Sequence, residues 1–337
     1  MTDQFTIPFA DDLHVHLRQG DRLHQVVPMV RAGGAGRVLA MPNLKPPLAT
    51  AAAAAAYRDE IRRIDPALEV LATVYLTPAL DAAEVRRCAE LKISAVKSYP
   101  KGATTNSEAG VESYEPWYPA FAAMQDCGIV LSLHGEVPPG QGGACVLDAE
   151  ERFLGELERL HRAFPRLRIV LEHVTTAAAV ACVQRLGDTV AATITAHHLE
   201  LTVDDWAGKN HNFCKPVAKY PSDRAALRAV VAAAHPRFFL GSDSAPHPRH
   251  DKETACACAG VFTQPLLVPY LATTFDRLGM LDRLEAFACR FGAAFYRLPP
   301  LPQRVTLVRR PQTVPANYGD VVPFRAGESL AWSIADG

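Results

Sequence analysis

The sequence of 337 residues has neither a long apolar run nor an excess of charge of one sign. Its formal net charge is −1, so its composition favours neither a nucleic acid nor a membrane surface as a partner. The first residues, Met1-Thr2-Asp3-Gln4, include an acid instead of a basic cluster, and no apolar core of a signal peptide follows them. We therefore expect no secretory leader and no membrane-spanning segment.

Two familiar cysteine and glycine motifs are also missing. The eight cysteines include no CxxC pair with zinc-ribbon spacing, and no GxGxxG sequence follows an early apolar run. The closest pair, Cys256-Ala257-Cys258, is not expected to bind a metal because better ligands lie elsewhere. Scattered cysteines without a secretory signal predict a reduced, cytoplasmic protein. The missing glycine motif argues against an open sheet that binds a dinucleotide.

Eight short apolar runs alternate with longer segments of helical pattern. The runs cover residues 13–17, 37–41, 70–76, 94–99, 129–134, 168–173, 190–196 and 238–242. The segments between them mostly place apolar residues at three- and four-residue spacing. Near-continuous apolar strands separated by helices are typical of a parallel sheet that is covered on both faces. Eight such units within about 230 residues predict a closed (β/α)8 barrel, with an open doubly wound sheet as the weaker alternative.

We predict one domain over residues 1–337, with the barrel at about 5–260 and helices and a tail at 261–337. In the tail, residues 305–308, 320–322 and 330–334 have the pattern of small strands, which we expect to pack near the N-terminal segment. Two loops are longer than a barrel needs, at 100–113 and 199–220. The first is either a lid over a site or an ordinary surface excursion, and the sequence leaves both open.

The stretch from Asp12 to Arg18 carries two histidines separated by one residue. Alternate side chains of a strand share a face, so His14, His16 and Arg18 point the same way. Two imidazoles make half of a metal site, and a guanidinium beyond them suits an anionic substrate. Alone, this pattern is equally typical of a strand whose polar face meets solvent.

Polar side chains at the ends of other predicted strands supply the missing ligands. Barrel enzymes place their chemistry at the C-terminal ends of the strands. The candidates at those ends are His14, His16, Lys97, His134, His173 and Asp243. In a closed barrel the last strand adjoins the first, which brings Asp243 beside the first two histidines. The fifth and sixth strands are also neighbours, which brings His134 beside His173.

Lys97 lies inside an apolar run, where an ammonium group is costly to bury and would be repelled by divalent cations. Its neutral amine can react with carbon dioxide to give an anionic carbamate, whose two oxygens can bridge two metals. The predicted binuclear centre has His14, His16 and Asp243 on one ion, His134 and His173 on the other, and carboxylated Lys97 across both. We expect two Zn²⁺ per subunit, bridged by this carbamate and a hydroxide, although Mn, Co or Fe could take the same ligands.

Eight stretches of the sequence form a recognisable set, and five of them carry these ligands. They are LHVHLR at 13–18, MPNL at 41–44, VKSYP at 96–100, HGE at 134–136, EHVTT at 172–176, TAHHL at 195–199, HNFCKP at 211–216 and GSDSAPH at 241–247. In this combination they resemble the dihydroorotases of the short, stand-alone bacterial type (class II) in the amidohydrolase superfamily. The resemblance implies a metal-dependent TIM barrel that reversibly cyclises N-carbamoyl-L-aspartate to L-dihydroorotate, the third step of de novo pyrimidine biosynthesis.

The resemblance also implies which residues contact the substrate. They are His16, Arg18, Asn43, Thr104, Thr105, His134, Lys215, His247 and Ala259. Of these, Arg18, Asn43 and His247 would bind the substrate carboxylate, and backbone groups at Lys215 and Ala259 would surround the ring. The two threonines would lie on a loop that closes over the substrate. Lys215 departs from the apolar residue that we expect in some relatives.

Asp243 would act as general base and then acid, with a purely structural ligand as the alternative. A hydantoinase or allantoinase would share the metal ligands but would lack the three contacts to a carboxylate. A non-catalytic barrel would be expected to lose ligands, and a structural metal site would not lie at an open barrel mouth. The resemblance suggests a homodimer. His197, His198, His211 and His250 receive no role, although the first two follow the seventh strand and could support the centre.

Overall fold

The computed structural model describes residues 3–102, 107, 110–138 and 140–335. Its strands are β1 (Gln4–Pro8), β2 (Ala10–Val15), β3 (Ala35–Ala40), β4 (Glu69–Tyr75), β5 (Ala95–Ser98), β6 (Val130–Leu133), β7 (Ile169–Leu171), β8 (Val190–Ile194), β9 (Phe238–Leu240), β10 (Arg304–Val308), β11 (Gln312–Thr313), β12 (Ser329–Leu330) and β13 (Ser333–Ile334). Strands β2 to β9 are adjacent in chain order and pair in parallel. This order confirms the predicted (β/α)8 barrel.

The ring closes where β2 meets β9, through the residues that follow the two strands. The His16 amide donates to the Ser244 carbonyl at 3.0 Å, and the Asp243 amide donates to the His14 carbonyl at 2.8 Å. These two bonds replace the longer ladders found between the other neighbouring strands. The seam of the barrel therefore lies at its C-terminal mouth, among the predicted metal ligands.

Helices cover the outside of the barrel. They are α1 (Asp21–Ala32), α2 (Ala51–Ile64), α3 (Ala82–Glu90), α4 (Tyr118–Cys127), α5 (Ala149–Ala163), α6 (Ala177–Arg185), α7 (Val203–Trp206), α8 (Pro221–Ala232), α9 (Arg249–Lys252), α10 (Leu267–Arg277) and α11 (Phe291–Tyr296). Side-chain caps fix several starts, since Thr50, Asp81 and Thr176 each accept a hydrogen bond from the amide three residues on. Within the described ranges, none of the helices has the length and apolar character needed to cross a membrane.

A small antiparallel sheet joins the two ends of the chain. Strand β1 pairs with β10, and β10 pairs with β13, so the tail packs on the N-terminal segment as predicted. The barrel itself begins at Ala10. One predicted tail strand is wrong: residues 320–322 belong to a tight turn at Gly319, closed by reciprocal backbone hydrogen bonds between Tyr318 and Val321. Another is split, because buried Trp332 separates β12 from β13, which belong to different sheets.

Arg37 is fully buried at the N-terminal end of the barrel and is held there by ion pairs. Its Nη1 is 2.8 Å from Asp11 Oδ1, and its Nε is 2.8 Å from Glu69 Oε1. We expect Arg37→Leu to lower the free energy of unfolding by about 3–5 kcal/mol, because it leaves buried Asp11 without its partner. The more exposed pair of Arg22 with Asp320 supplies the control Arg22→Leu, expected to cost less than about 1 kcal/mol.

The loss of stability in Arg37→Leu should depend on pH, because it arises from the buried carboxyl group of Asp11. Burial raises the pKa of Asp11 to about 7, although Arg37 opposes the shift. Without Arg37 the carboxyl group must either keep its proton or bury an uncompensated charge. The destabilisation should therefore grow as the pH rises above about 7, which urea unfolding at several pH values measures. Equal losses in the two variants, or a loss that shrinks with rising pH, would contradict the assignment.

Candidate active site

The six predicted metal ligands lie around one end of the barrel. His14 is in β2, His16 directly follows β2, and Lys97 is in β5. The other three follow the ends of their strands, His134 after β6, His173 after β7 and Asp243 after β9. None of them is more than 8% exposed. One cavity is lined by all of these residues except Lys97, which is completely buried. The structure thus brings together the whole set that was expected from five different strands.

His14, His16 and Asp243 form a compact group. Asp243 Oδ1 is 3.0 Å from His16 Nε2 and 3.4 Å from His14 Nε2. Two ligand atoms that are each about 2.0–2.2 Å from a zinc ion lie about 3–3.5 Å apart at ordinary coordination angles. The spacing of these atoms therefore fits the ligands of one ion.

His134 and His173 lie next to this group. The ring centroids of His134 and His173 are 4.8 Å apart, and those of His14 and His173 are 4.9 Å apart. Among the described residues, neither His173 Nδ1 nor Lys97 Nζ has a hydrogen-bond partner, although both atoms are buried. The Lys97 ammonium lies 4.5 Å from the centre of the Tyr99 ring. Buried polar atoms without a partner are uncommon, and a metal with a lysine carbamate would occupy both.

Burial favours the form that metal binding requires at three of the four histidines, whereas at His14 burial is outweighed by the carboxylates of Glu172 and Asp243, which raise the pKa. Burial lowers the pKa of His16 to about 4 and also lowers the pKa values of His134 and His173 below their usual range. Neutral imidazoles are the ligating form. Burial likewise lowers the pKa of Lys97 to about 8, so that the neutral amine is accessible near neutral pH. The amine that would react with carbon dioxide is therefore available.

Two buried glutamates orient the histidine rings. Glu172 Oε2 is 2.9 Å from His14 Nδ1, and Glu136 Oε2 is 2.9 Å from His134 Nε2. Glu172 also accepts a hydrogen bond from Thr193 Oγ1 at 2.6 Å. A carboxylate at one ring nitrogen fixes the tautomer and leaves the other nitrogen free to bind a metal. Sequence reasoning assigned neither glutamate a role, although both lie within two residues of a ligand histidine.

The backbone at the site is unusual in two respects. Arg18, His173 and Asp243 have φ values of 65°, 40° and 47°, which non-glycine residues rarely adopt. Each follows a barrel strand, and this conformation turns the chain at the barrel mouth. Such strain costs of the order of 1–3 kcal/mol per residue and is concentrated at functional sites. Gly241 allows the close approach of β9, because a Cβ atom there would lie 2.9 Å from His14 Cβ.

The predicted substrate contacts divide between two cavities. Arg18, Asn43, Lys215 and Ala259 line the cavity of the metal ligands, together with Tyr99, which the sequence did not single out. Lys215, where an apolar residue was expected in some relatives, is partly buried and lines this cavity. Thr104 and Thr105 lie outside the described residues.

His247 does not line the cavity of the metal ligands. It lines an adjoining, more open cavity that shares Arg18 and Asn43 with the first. Arg18 Nη2 donates to His247 Nε2 at 2.8 Å, and Arg18 Nε donates to the Pro246 carbonyl at 3.0 Å. Burial, with the charge of Arg18, lowers the pKa of His247 to about 2, so the ring is neutral and can accept this bond. In this arrangement His247 holds the guanidinium in place.

Known proteins share both the sequence and the fold of this chain. Residues 14–190 match the family described as Amidohydrolase. The "Probable dihydroorotase" of Schizosaccharomyces pombe is 50% identical over 97% of each chain. The crystal structure of dihydroorotase in complex with 5-fluoroorotic acid from Saccharomyces cerevisiae superposes with a TM-score of 0.96, at 38% identity over 99% of each chain. The L-hydantoinase of Arthrobacter aurescens has a TM-score of 0.85 at 18% identity, over 98% of this chain and 83% of its own, and shares the fold alone.

Proposed function

Because this chain belongs to the dihydroorotase family of amidohydrolases, we propose that it catalyses the reversible cyclisation of N-carbamoyl-L-aspartate to L-dihydroorotate and water. The observation that carries this proposal is the shared cavity of His14, His16, Asp243 and Arg18. It places a metal-ligand group beside a guanidinium that suits a carboxylate. The 5-fluoroorotic acid of the S. cerevisiae structure is likewise a pyrimidine with a carboxyl group.

A direct assay tests this function. Purified, metal-loaded protein should change the ultraviolet absorbance of dihydroorotate and leave hydantoin and allantoin unchanged. Hydantoin lacks the carboxylate that Arg18 would bind, so the preference follows from the site. Turnover of hydantoin or allantoin in preference to dihydroorotate would overturn the proposal.

The family implies a metal, and we propose two zinc ions. The residues that would hold them are His14, His16, Lys97 as its carbamate, His134, His173 and Asp243. The ligand spacing around Asp243 and the unpartnered atoms of Lys97 and His173 support this set. When bound, the ions supply Lewis acidity at the substrate carbonyl and lower the pKa of the attacking water.

Asp243 moves the protons of the reaction. In hydrolysis it accepts a proton from the attacking water and gives it to the ring nitrogen as the carbon–nitrogen bond breaks. In cyclisation the nitrogen–carbon bond forms and water leaves. That direction converts a dianion into a monoanion and consumes one proton, which we assign to Asp243 at the start of the step. The position of Asp243 on the cavity wall supports this role.

We expect Arg18→Gln to lower kcat/KM for dihydroorotate by about 10–100-fold, mainly through a higher KM. Hydrogen bonds between charged groups are worth about 1.5–3 kcal/mol, and glutamine keeps a donor but loses the charge. Initial rates over a range of substrate concentrations measure the effect. Arg166→Gln, which removes an exposed arginine paired with Asp126, is the control and should leave KM unchanged. A lower kcat with unchanged KM would place Arg18 away from substrate binding.

We also propose a cytoplasmic homodimer whose subunits each fold as one domain. The eight cysteines, all within the described ranges, are free thiols, which supports a reducing compartment. Light scattering should give twice the chain mass of 36.6 kDa. A mass of one chain at micromolar concentration would contradict the dimer.

A further inference from the structure

A second group of metal-ligand side chains lies outside the proposed centre. His197 and His198 follow β8, and Cys214 lies in the long loop between that strand and α8. One ligand atom from each of the three lies within 4.8 Å of the other two. None of the three side chains is more than 1% exposed. The proposed reaction uses none of them.

The two imidazoles lack the partners that buried rings normally have. Among the described residues, neither Nδ1 nor Nε2 of His197 has a hydrogen-bond partner, and the same holds for Nδ1 of His198. An imidazole always presents a donor or an acceptor at each ring nitrogen, and buried groups of this kind are usually satisfied. The ring of His197 is therefore left for a bound ion or a water molecule to satisfy.

The sulfur of Cys214 completes the group. Its Sγ is 3.4 Å from His198 Nε2 and 3.2 Å from the Pro216 carbonyl oxygen. A sulfur and a nitrogen that are bound to one tetrahedral zinc ion lie about 3.5 Å apart. The same carbonyl oxygen is 3.1 Å from His198 Nε2, so it can accept a hydrogen bond from either the thiol or the imidazole.

We propose that His197, His198 and Cys214 form an additional metal site for Zn²⁺ or another borderline to soft ion. A thiolate with two imidazoles is a donor set for zinc and copper, not for calcium or magnesium. Binding breaks the Sγ–H bond, forms a sulfur–metal bond and releases the proton to solvent. Burial raises the pKa of the Cys214 thiol, so the free thiol keeps its proton, and the nearby charges of Lys219 and Lys252 repel a dication. The sulfur–metal bond must therefore supply the affinity.

A metal at this site would join a loop to the barrel. His197 and His198 lie shortly after β8, whereas Cys214 directly precedes Lys215 on the wall of the substrate cavity. The ion would hold this part of the loop against the barrel. Its effect on the reaction would be positional, because none of its ligands lines that cavity.

Cobalt distinguishes this site from the two-ion centre, because the centre contains no sulfur ligand. Apo-protein reconstituted with Co²⁺ should show the near-ultraviolet charge-transfer band of a thiolate bound to cobalt. Cys214→Ser should lose the band and bind one Co²⁺ fewer per chain. Cys88→Ser, which alters a buried thiol in α3, should keep both. Cys258→Ser should keep them as well, although that thiol lies near His247 and Asp251.

Three outcomes would overturn the proposal. They are a wild-type protein without the band, a Cys214→Ser protein that keeps it, and a band that disappears only in Cys258→Ser. If Cys214→Ser does not fold, His197→Gln replaces it and should weaken Co²⁺ binding at this site by at least about tenfold. Unchanged affinity in that variant would also overturn the proposal. These measurements do not use turnover, so they are independent of the proposed function.

Discussion

Asp243→Asn is expected to lower turnover by about 10²–10⁴-fold in both directions while the protein keeps its metal ions. The amide retains an oxygen near His14 and His16, whose Nε2 atoms lie within 3.4 Å of Asp243 Oδ1. It cannot accept or deliver the proton that the reaction moves. The absorbance of dihydroorotate measures turnover, and elemental analysis measures the metals. Asp320→Asn, which alters an exposed carboxylate, should leave both unchanged.

The metal content of the Asp243→Asn protein distinguishes two roles of Asp243. A loss of metal in proportion to the loss of turnover would make this residue a structural ligand. The pH profile gives a second readout, because cyclisation consumes a proton and hydrolysis releases one. The rate of cyclisation should fall as the pH rises, and the rate of hydrolysis should increase. Rates that rise together in both directions would contradict the proton transfer assigned to Asp243.

Lys97→Met is expected to weaken metal binding by more than about 100-fold, and activity should fall with it. Methionine keeps an unbranched, buried side chain in β5 but cannot form a carbamate. Removal of a group that only supports a ligand already costs about 10–100-fold in metal affinity, so loss of a bridging ligand should cost more. Competition with a chelator of known affinity measures the change.

A second buried lysine provides the control for this variant. Lys252 is 3% exposed, and its Nζ donates to the carbonyls of Phe213, Cys258 and Gly260. Lys252→Met should keep wild-type affinity at the two-ion centre. Added formate or acetate supplies a carboxylate and should restore part of the metal binding of Lys97→Met. Two ions bound at wild-type affinity in Lys97→Met, without added carboxylate, would rule out the bridging carbamate.

The barrel could be predicted from the sequence because its strands are buried on both faces. Such strands give continuous apolar runs, and a charged side chain such as Lys97 is conspicuous inside one. The runs predicted to end at His134 and His173 stop at Leu133 and Leu171 in the structure. The ligands leave the ladder there, and His173 adopts a positive φ that no periodic pattern signals.

Contacts that depend on loop conformation could not be predicted. The sequence did not show that His247 would hold Arg18 by a hydrogen bond, whereas the contact of His247 with the substrate stays a prediction. The sequence also did not predict the contact between Cys214 and His198, because the loop between them has no periodic pattern from which its path could be inferred. Two of the three predicted tail strands, at 320–322 and 330–334, differ for a similar reason, since a tight turn and one buried tryptophan decide where they end.

The closure of the barrel links metal affinity to the stability of the whole fold. The first and last strands are joined by backbone hydrogen bonds at His14 and His16, and the partner of one of these bonds is Asp243. An ion held by His14, His16 and Asp243 would link the first strand of the barrel, β2, to the last, β9. By mass action it stabilises the folded chain by RT ln(1 + [M]/Kd), where M is the free ion. Chelation should therefore loosen this seam first, and the amides of His16 and Asp243 should exchange with deuterium before those of the central strands.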